Sequence, residues 1–425
     1  MRFDLAVILA LFILAAHSSL AEEDTAEYWL LKSAQEYQSG QYQEAIDSID
    51  KALIKDAQNG SIWILKGLIF ETQGELVEAL QCYNKSVELN SQDVNAWYSR
   101  ALVQKNLGCI NDSLQSFDKA IEIDPHFKEL WYDKGNALSS FHRYEEAIEC
   151  YDQAIGLNSS WAWPWYNKGK TLAALGRHDQ ALQCYENATS LDPNYLKAWS
   201  EKGTTLAGLG RYEEALAAFE KVLLLLPQDT IALSNRARAL QDLERYDEAA
   251  VAWDRVISES PQDAAAWYNR GLALGSLGRY DEAVLSLDQS INLSPNNSLS
   301  WYGKAQVLEQ MGRSEQADEA RNRALDLAYS HISFSQNSGE SIEDAIVIMN
   351  ATGGEDGIDS EYYYLEKRFG KQGVDWSLEL QSLIGKDEMY YDKLDIRLAN
   401  GKMIAIYFEI TDFYGKWTWL EELNI

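Results

Sequence analysis

The chain has 425 residues, 37 basic against 66 acidic side chains, a formal net charge of −29 and a hydrophobic fraction of 46%. That balance supplies material for a core and argues against both a nucleic-acid binder, which must offer cations to phosphates, and electrostatic docking on anionic lipid. Four cysteines are too few for a disulfide framework. Residues 1–21 read as a secretory signal: Arg2 gives the charged start, Leu5 to Ala16 an apolar run, and Ser19-Leu20-Ala21 small residues ahead of Glu22, Glu23 and Asp24. The run is about 12 residues long where a membrane span needs about 20, so a secreted or cell-surface protein is expected; an uncleaved N-terminal membrane anchor is the alternative. Eight Asn-x-Ser/Thr motifs lack an intervening Pro: Asn59, Asn84, Asn111, Asn158, Asn187, Asn292, Asn296 and Asn350. Composition accounts for roughly two, so the excess fits a glycosylated exterior. Asn292 is weakened by the Pro295 that follows it.

From Ala26 to His331 the chain repeats every 34 residues, nine times, without insertion. Tryptophan holds the fourth place at Trp29, Trp63, Trp97, Trp131, Trp165, Trp199, Trp267 and Trp301, with Leu233 in the one gap. The eighth place is small (Gly67, Gly135, Gly169, Gly203, Gly271, or Ser33, Ala101, Ala237, Ala305), and so is the twentieth (Ala45 to Ala317, with Ser113 in the third copy). Small residues there let two helices approach, while Tyr83, Phe117, Tyr151, Tyr185, Phe219 and Trp253 at the twenty-fourth place fill the seam. Glycines at the fifteenth place (Gly74, Gly108, Gly176, Gly210, Gly278) turn the chain, and prolines at the thirty-second (Pro125, Pro193, Pro227, Pro261, Pro295) end the second helix. Each copy is thus a helix–turn–helix hairpin whose apolar face only its neighbours can cover.

Segments such as Trp165-Tyr166-Asn167-Lys168-Gly169, Leu175-Gly176-Arg177 and Asp179-Gln180-Ala181 resemble the tetratricopeptide repeat (TPR). The resemblance implies a mainly α protein, a right-handed superhelix (α-solenoid) whose first helices line a concave groove for peptides or partner proteins. By that resemblance the groove is lined from the second, fifth, ninth and twelfth places. In repeats four to six, these places and their flanks carry Tyr132, Asn136, Trp161, Trp163, Tyr166, Asn167, Lys170 and Lys197, with Pro164 presetting the first turn. Asn136, Asn167 and Lys197 match the family's clamp for a terminal carboxylate, whereas Tyr132 and Glu201 replace its other two cations. The expected ligand is a protein or peptide segment with an aromatic or acidic feature. The alternative is that Trp161 and Trp163 merely cover the gap between loops.

The seventh place is always basic: Lys32, Lys66, Arg100, Lys134, Lys168, Lys202, Arg236, Arg270 and Lys304. It lies about 200° around the helix from the fifth, away from the groove. An ion-pair ladder with acids at the eighteenth or nineteenth place (Glu44, Glu78, Asp112, Glu146, Asp179, Glu214, Glu282) is therefore favoured over a polyanion track. The ninth repeat has Ser314 and Arg321 at aromatic places, as a polar terminal repeat would.

Residues 332–340 read as a linker, and 341–425 as a small α+β (β-α-β-β-β) domain that makes only light contact with the array. Its strands are expected near Ala345–Met349, Trp376–Ile384, Tyr390–Leu398 and Met403–Thr411, with a helix over Asp359–Phe369 and a hairpin turn at Asn400-Gly401. It resembles a small domain of microbial, chiefly archaeal, proteins that carries no assigned activity. Catalytic motifs are lacking. His126, His142, His178 and His331 stand alone, and Cys82, Cys150 and Cys184 share the twenty-third place as packed thiols. Residues 353–359 read as a turn before an acidic helix start rather than a calcium loop. No enzyme activity, cofactor or metal is expected. The reading is an exported, non-catalytic scaffold binding a protein or peptide. A structural cell-envelope component is the alternative, and substrate-presenting repeats of a glycosyltransferase-like system a weaker one.

Overall fold

The computed structural model describes residues 24–330, 332–349, 354–386 and 389–411; the signal at 1–21, His331 and Asn350 lie outside them. The chain divides after Pro227 into two units. In the first, helices come in pairs that coincide with the repeats: α1 Ala26–Gln38 with α2 Tyr42–Lys55, α3 Gly60–Gln73 with α4 Leu76–Leu89, and α5 Val94–Asn106 with α6 Ile110–Ile123. Then follow α7 Lys128–Ser140 with α8 Tyr144–Leu157, α9 Ala162–Ala174 with α10 His178–Leu191, and α11 Leu196–Gly208 with α12 Tyr212–Leu225. The small eighth place works as expected. A Cβ on Gly135 would stand 2.7 Å from Tyr151 Cε1, so the ring lies directly on backbone. In the first repeat, Ser33 instead donates its hydroxyl to the Ala45 carbonyl at 2.7 Å, beneath the fully buried Ile49.

The fifteenth place adopts the left-handed conformation whether or not it is glycine. His142 (φ 60°) and Glu244 (φ 58°) take it at the cost L-residues bear there. The repeat tryptophan closes the junction between repeats: the Trp131 indole N–H donates to the Pro125 carbonyl and that of Trp199 to the Pro193 carbonyl, both at 3.0 Å.

The basic seventh place does form a ladder, but with different acids from those expected. Lys66 pairs with Asp50 (2.7 Å), Lys134 with Asp118 (2.6 Å), Lys168 with Asp152 (2.5 Å) and Lys202 with Glu186 (3.2 Å). These acids occupy the twenty-fifth place of the preceding repeat, so each pair bridges two repeats. Three of these four lysines also lie 5.4–5.9 Å above the tryptophan of their own helix. At the nineteenth place Glu146 and Glu214 pair instead with arginines of their own turn, Arg143 (2.6 Å) and Arg211 (2.7 Å), while Glu145 at the eighteenth pairs with Arg177 of the next repeat (2.5 Å).

The second unit opens with three more pairs: α13 Thr230–Asp242 with α14 Tyr246–Glu259, α15 Ala264–Ser276 with α16 Tyr280–Leu293, and α17 Ser298–Gln310 with α18 Ser314–Ala328. The same ladder appears in Arg270–Asp254 and Lys304–Asp288, both at 2.6 Å. Next come β1 Ser333–Phe334, β2 Ile346–Met349, α19 Gly354–Phe369, β3 Trp376–Lys386, β4 Met389–Leu398 and β5 Met403–Glu409. They form a five-stranded sheet in the order β1-β2-β5-β4-β3, with β2 and β5 parallel and the other pairs antiparallel. Its core joins Ile346, Ile348, Leu394, Ile396, Ile406 and Phe408 to Leu365 of α19 and to Trp376.

Two expectations are corrected here. The stretch 332–340 is not a linker: Ile332 is buried in the domain core, β1 pairs with β2, and Gly339 packs so tightly that a Cβ would stand 2.6 Å from Ile346 Cδ1. Nor does the domain touch the ninth repeat lightly. Tyr363 of α19 stacks on Tyr329 at 4.9 Å and donates to Asp326 at 2.9 Å, Lys367 pairs with Asp326 at 2.5 Å, and Lys371 lies 3.5 Å from Asp318. The polar face of α18 is the surface on which these cations land.

Candidate peptide-binding groove

Among the expected residues, Tyr132 and Asn136 project from α7. Trp163, Tyr166, Asn167 and Lys170 lie on α9, Trp161 caps its start, and Lys197 lies in the first turn of α11. The structure brings the first group together. Trp161 and Trp163 lie 4.7 and 6.4 Å from the Tyr132 ring and 6.1 Å from each other. Trp163 is 43% exposed and Tyr166 7%. Burial raises the Tyr132 hydroxyl above its ordinary range and pushes Tyr166 up to about 12, so both rings stay neutral.

The two asparagines are spent on each other. Asn167 Nδ2 donates to the Tyr132 hydroxyl at 2.9 Å and to Asn136 Oδ1 at 2.7 Å; Asn136 Oδ1 also accepts from Tyr151 at 3.0 Å, and Asn136 Nδ2 donates to Asp133 at 3.1 Å. Two of the three residues matching a carboxylate clamp therefore serve as a repeat-to-repeat joint. Lys170 sits 5.8 Å over the Tyr166 ring. Lys170 and Lys197 are both exposed, and neither forms an ion pair with any described residue. In a chain so acidic, with most of the ladder cations paired, these two stand as exposed positive charges.

Two contributors were missed by sequence reading. Tyr195 packs at 4.9 Å against Tyr166 with the rings tilted, and Lys128 holds its ammonium 5.5 Å over Trp161. Tyr195 carried a readable signal, since it stands at the last place of its repeat, where Trp161 stands in the repeat before. Lys128 carried none. Of the glycosylation candidates, Asn111, Asn187 and Asn296 are exposed. Asn84 is half-buried, and so are Asn59 and Asn158, whose carbonyl oxygens accept backbone N–H groups of Ser61 and Ser160. Cys82, Cys150 and Cys184 are buried, and burial pushes each thiol up to about 11.

Models of the tetratricopeptide repeat match residues 67–108, 94–127, 116–149, 143–176, 162–195, 196–229, 234–298 and 286–319. Among solved structures, YrrB, a TPR protein with an unusual peptide-binding site, is 27% identical over 45% of this chain and 98% of its own, with a TM-score of 0.42. The C-terminal part of a TPR repeat-containing protein from Cytophaga hutchinsonii is 16% identical over 56% and 97%, with a TM-score of 0.51. A tetratricopeptide repeat protein from Parabacteroides merdae is 18% identical over 59% and 98%, with a TM-score of 0.44. No curated protein matches the chain.

Proposed function

The chain belongs to the tetratricopeptide repeat proteins, and from that premise we propose that it is an exported, non-catalytic scaffold holding a protein or peptide segment in the groove of repeats four to six. Proteins of this family are in general interaction scaffolds. What supports the site is the half-exposed Trp163 together with the exposed Lys170 and Lys197, which form no ion pair with described residues and stand at places from which the family lines its groove. An aromatic anchor beside desolvatable cations suits a segment with an aromatic or acidic feature. The asparagine joint speaks against a clamp for a terminal carboxylate. A net charge of −29 is unsuited to nucleic acid.

The test is capture of a partner from the surface fraction of the source cells by wild type and by a Trp163→Ala, Lys170→Ala double variant. Capture lost in a folded double variant supports the site; unchanged capture removes it. Export rests on residues 1–21 and the excess of glycosylation motifs, and it predicts a mature chain beginning near Glu22. N-terminal sequencing that finds Met1 instead would refute cleavage.

A further inference from the structure

The last place of each repeat caps the helix that opens the next. Asn59, Asp93, Asp229, Asp263 and Asn297 do so with a side-chain oxygen that accepts a backbone N–H of the first turn. Phe127, Trp161 and Tyr195 hold the same place ahead of α7, α9 and α11 and make no such bond. Three consecutive repeats thus forgo a cap that their neighbours keep. In each, the ring packs, tilted or edge-on, against the tyrosine at the fifth place of the repeat it closes. Phe127 is 5.6 Å from Tyr98, Trp161 is 4.7 Å from Tyr132, and Tyr195 is 4.9 Å from Tyr166, centre to centre. In the other repeats that a further repeat follows, the two places hold Leu30 with Asn59, Ile64 with Asp93, Ser200 with Asp229, Ser234 with Asp263 and Tyr268 with Asn297, never two rings.

The result is a ladder of three aromatic rungs in repeats three to five, all in the first unit, with Trp163 widening the middle one. At these separations the rings touch one another, which leaves no room for a cation between them. Tyr98 and Tyr166 are buried, so the half-buried Phe127, Trp161 and Tyr195, with Tyr132, offer a surface to lie on, not a cage. Neighbouring rungs are related by one repeat, a step of about 10 Å at ordinary helix-packing distances. A β-strand covers that step in about three residues, but its side chains alternate, so the third residue points away from the ladder. A polyproline II helix has three residues per turn and rises about 9.3 Å per turn, so every third residue returns to the same face.

Resting on the groove reading above, we infer that the ladder binds a segment in polyproline II conformation, with a proline or other apolar side chain on each rung at every third position. Pyrrolidine rings lie flat on aromatic faces, and the preset backbone lowers the entropy lost on docking.

The probes are two synthetic peptides of the same proline and glutamine content, with the prolines three residues apart in one and two residues apart in the other. The full chain should bind the first at least tenfold more tightly by calorimetry. Equal affinity, or no binding of either, overturns the inference. Trp161→Asp and Tyr195→Asp supply the capping carboxylate seen at Asp93 and Asp263. The variants should keep a cooperative helical melt, the new cap offsetting part of the lost ring packing, while weakening the first peptide about tenfold each. Undiminished affinity in these variants overturns it as well. If the three-residue peptide fails while the Trp163→Ala, Lys170→Ala variant still loses its captured partner, the ladder falls and the scaffold reading stands.

Discussion

Glu361 and Asp392 form a buried carboxyl pair whose behaviour with pH can be worked out from its surroundings. Glu361 lies on α19 one turn before the core residue Leu365, and Asp392 lies on β4 two residues before the core residue Leu394. Both positions belong to stripes that are otherwise apolar. Glu361 is 0% exposed and Asp392 6%. Neither Glu361 oxygen accepts a hydrogen bond from a described N–H or O–H donor, and Asp392 accepts from the Gln381 amide at Oδ2 while its Oδ1 is left unsatisfied. Burial first, and the Asp392 charge second, hold the Glu361 carboxyl well above its usual range; burial also raises Asp392. The folded domain therefore keeps a proton that the unfolded chain releases above about pH 4.5.

A raised folded pKa means that stability is fully present below the unfolded value and declines as pH rises through the window up to the folded value. The slope is about 1.4 kcal/mol per pH unit while one proton is held. Glu361→Gln keeps the shape, removes the titration and can donate an N–H to Asp392. The variant should match wild type near pH 5 and exceed it at pH 7.5, by at most about 4 kcal/mol if the proton is held throughout. Hydrogen exchange of the β3–β5 amides in the full chain, corrected for intrinsic rates, reads the difference. Equal pH slopes in the two proteins, or a variant weaker at pH 7.5, would refute the reasoning.

Three further outcomes follow from the packing. Glu244→Gly should stabilise the chain by about 0.5–1 kcal/mol by relieving its positive φ; His142→Gly should gain less, because His142 Nδ1 bonds to the Tyr144 hydroxyl at 2.6 Å, and a fall in melting temperature for Glu244→Gly would contradict this. Gly135→Ala, with its Cβ 2.7 Å from the Tyr151 ring, should cost about 1–3 kcal/mol in urea unfolding, and a neutral result would mean that the ring can retreat. Tyr363→Ala removes the stack on Tyr329 and the bond to Asp326, about 1–3 kcal/mol of docking; it should speed proteolytic cleavage between Tyr329 and Ser333, and unchanged cleavage would show that the domain does not rely on that contact.

The repeat array was readable in one dimension because its physics is local. Each hairpin packs within itself and on its neighbours, so Trp131, Gly135, Ala147 and Tyr151 announce their contacts by spacing alone, and the period carries them along the chain. The same reasoning found Tyr132, Trp161 and Trp163, since extra aromatics stand out against a regular background. What spacing could not say is which rows of side chains meet across two helices. Lys134 reaches back to Asp118 rather than forward to Glu146, because the seam between repeats, not the hairpin, sets that neighbour. Nor could it say that Asn136 and Asn167 would satisfy each other. The C-terminal domain lacks a period, and its contacts are distant in sequence. The strand in the supposed linker, the meeting of Glu361 with Asp392 and the docking of Tyr363 on Tyr329 all depend on how the sheet closes. Such pairings leave no trace in local composition, since each partner taken alone is an ordinary surface residue type, and only the tertiary fold buries it or sets it against its mate.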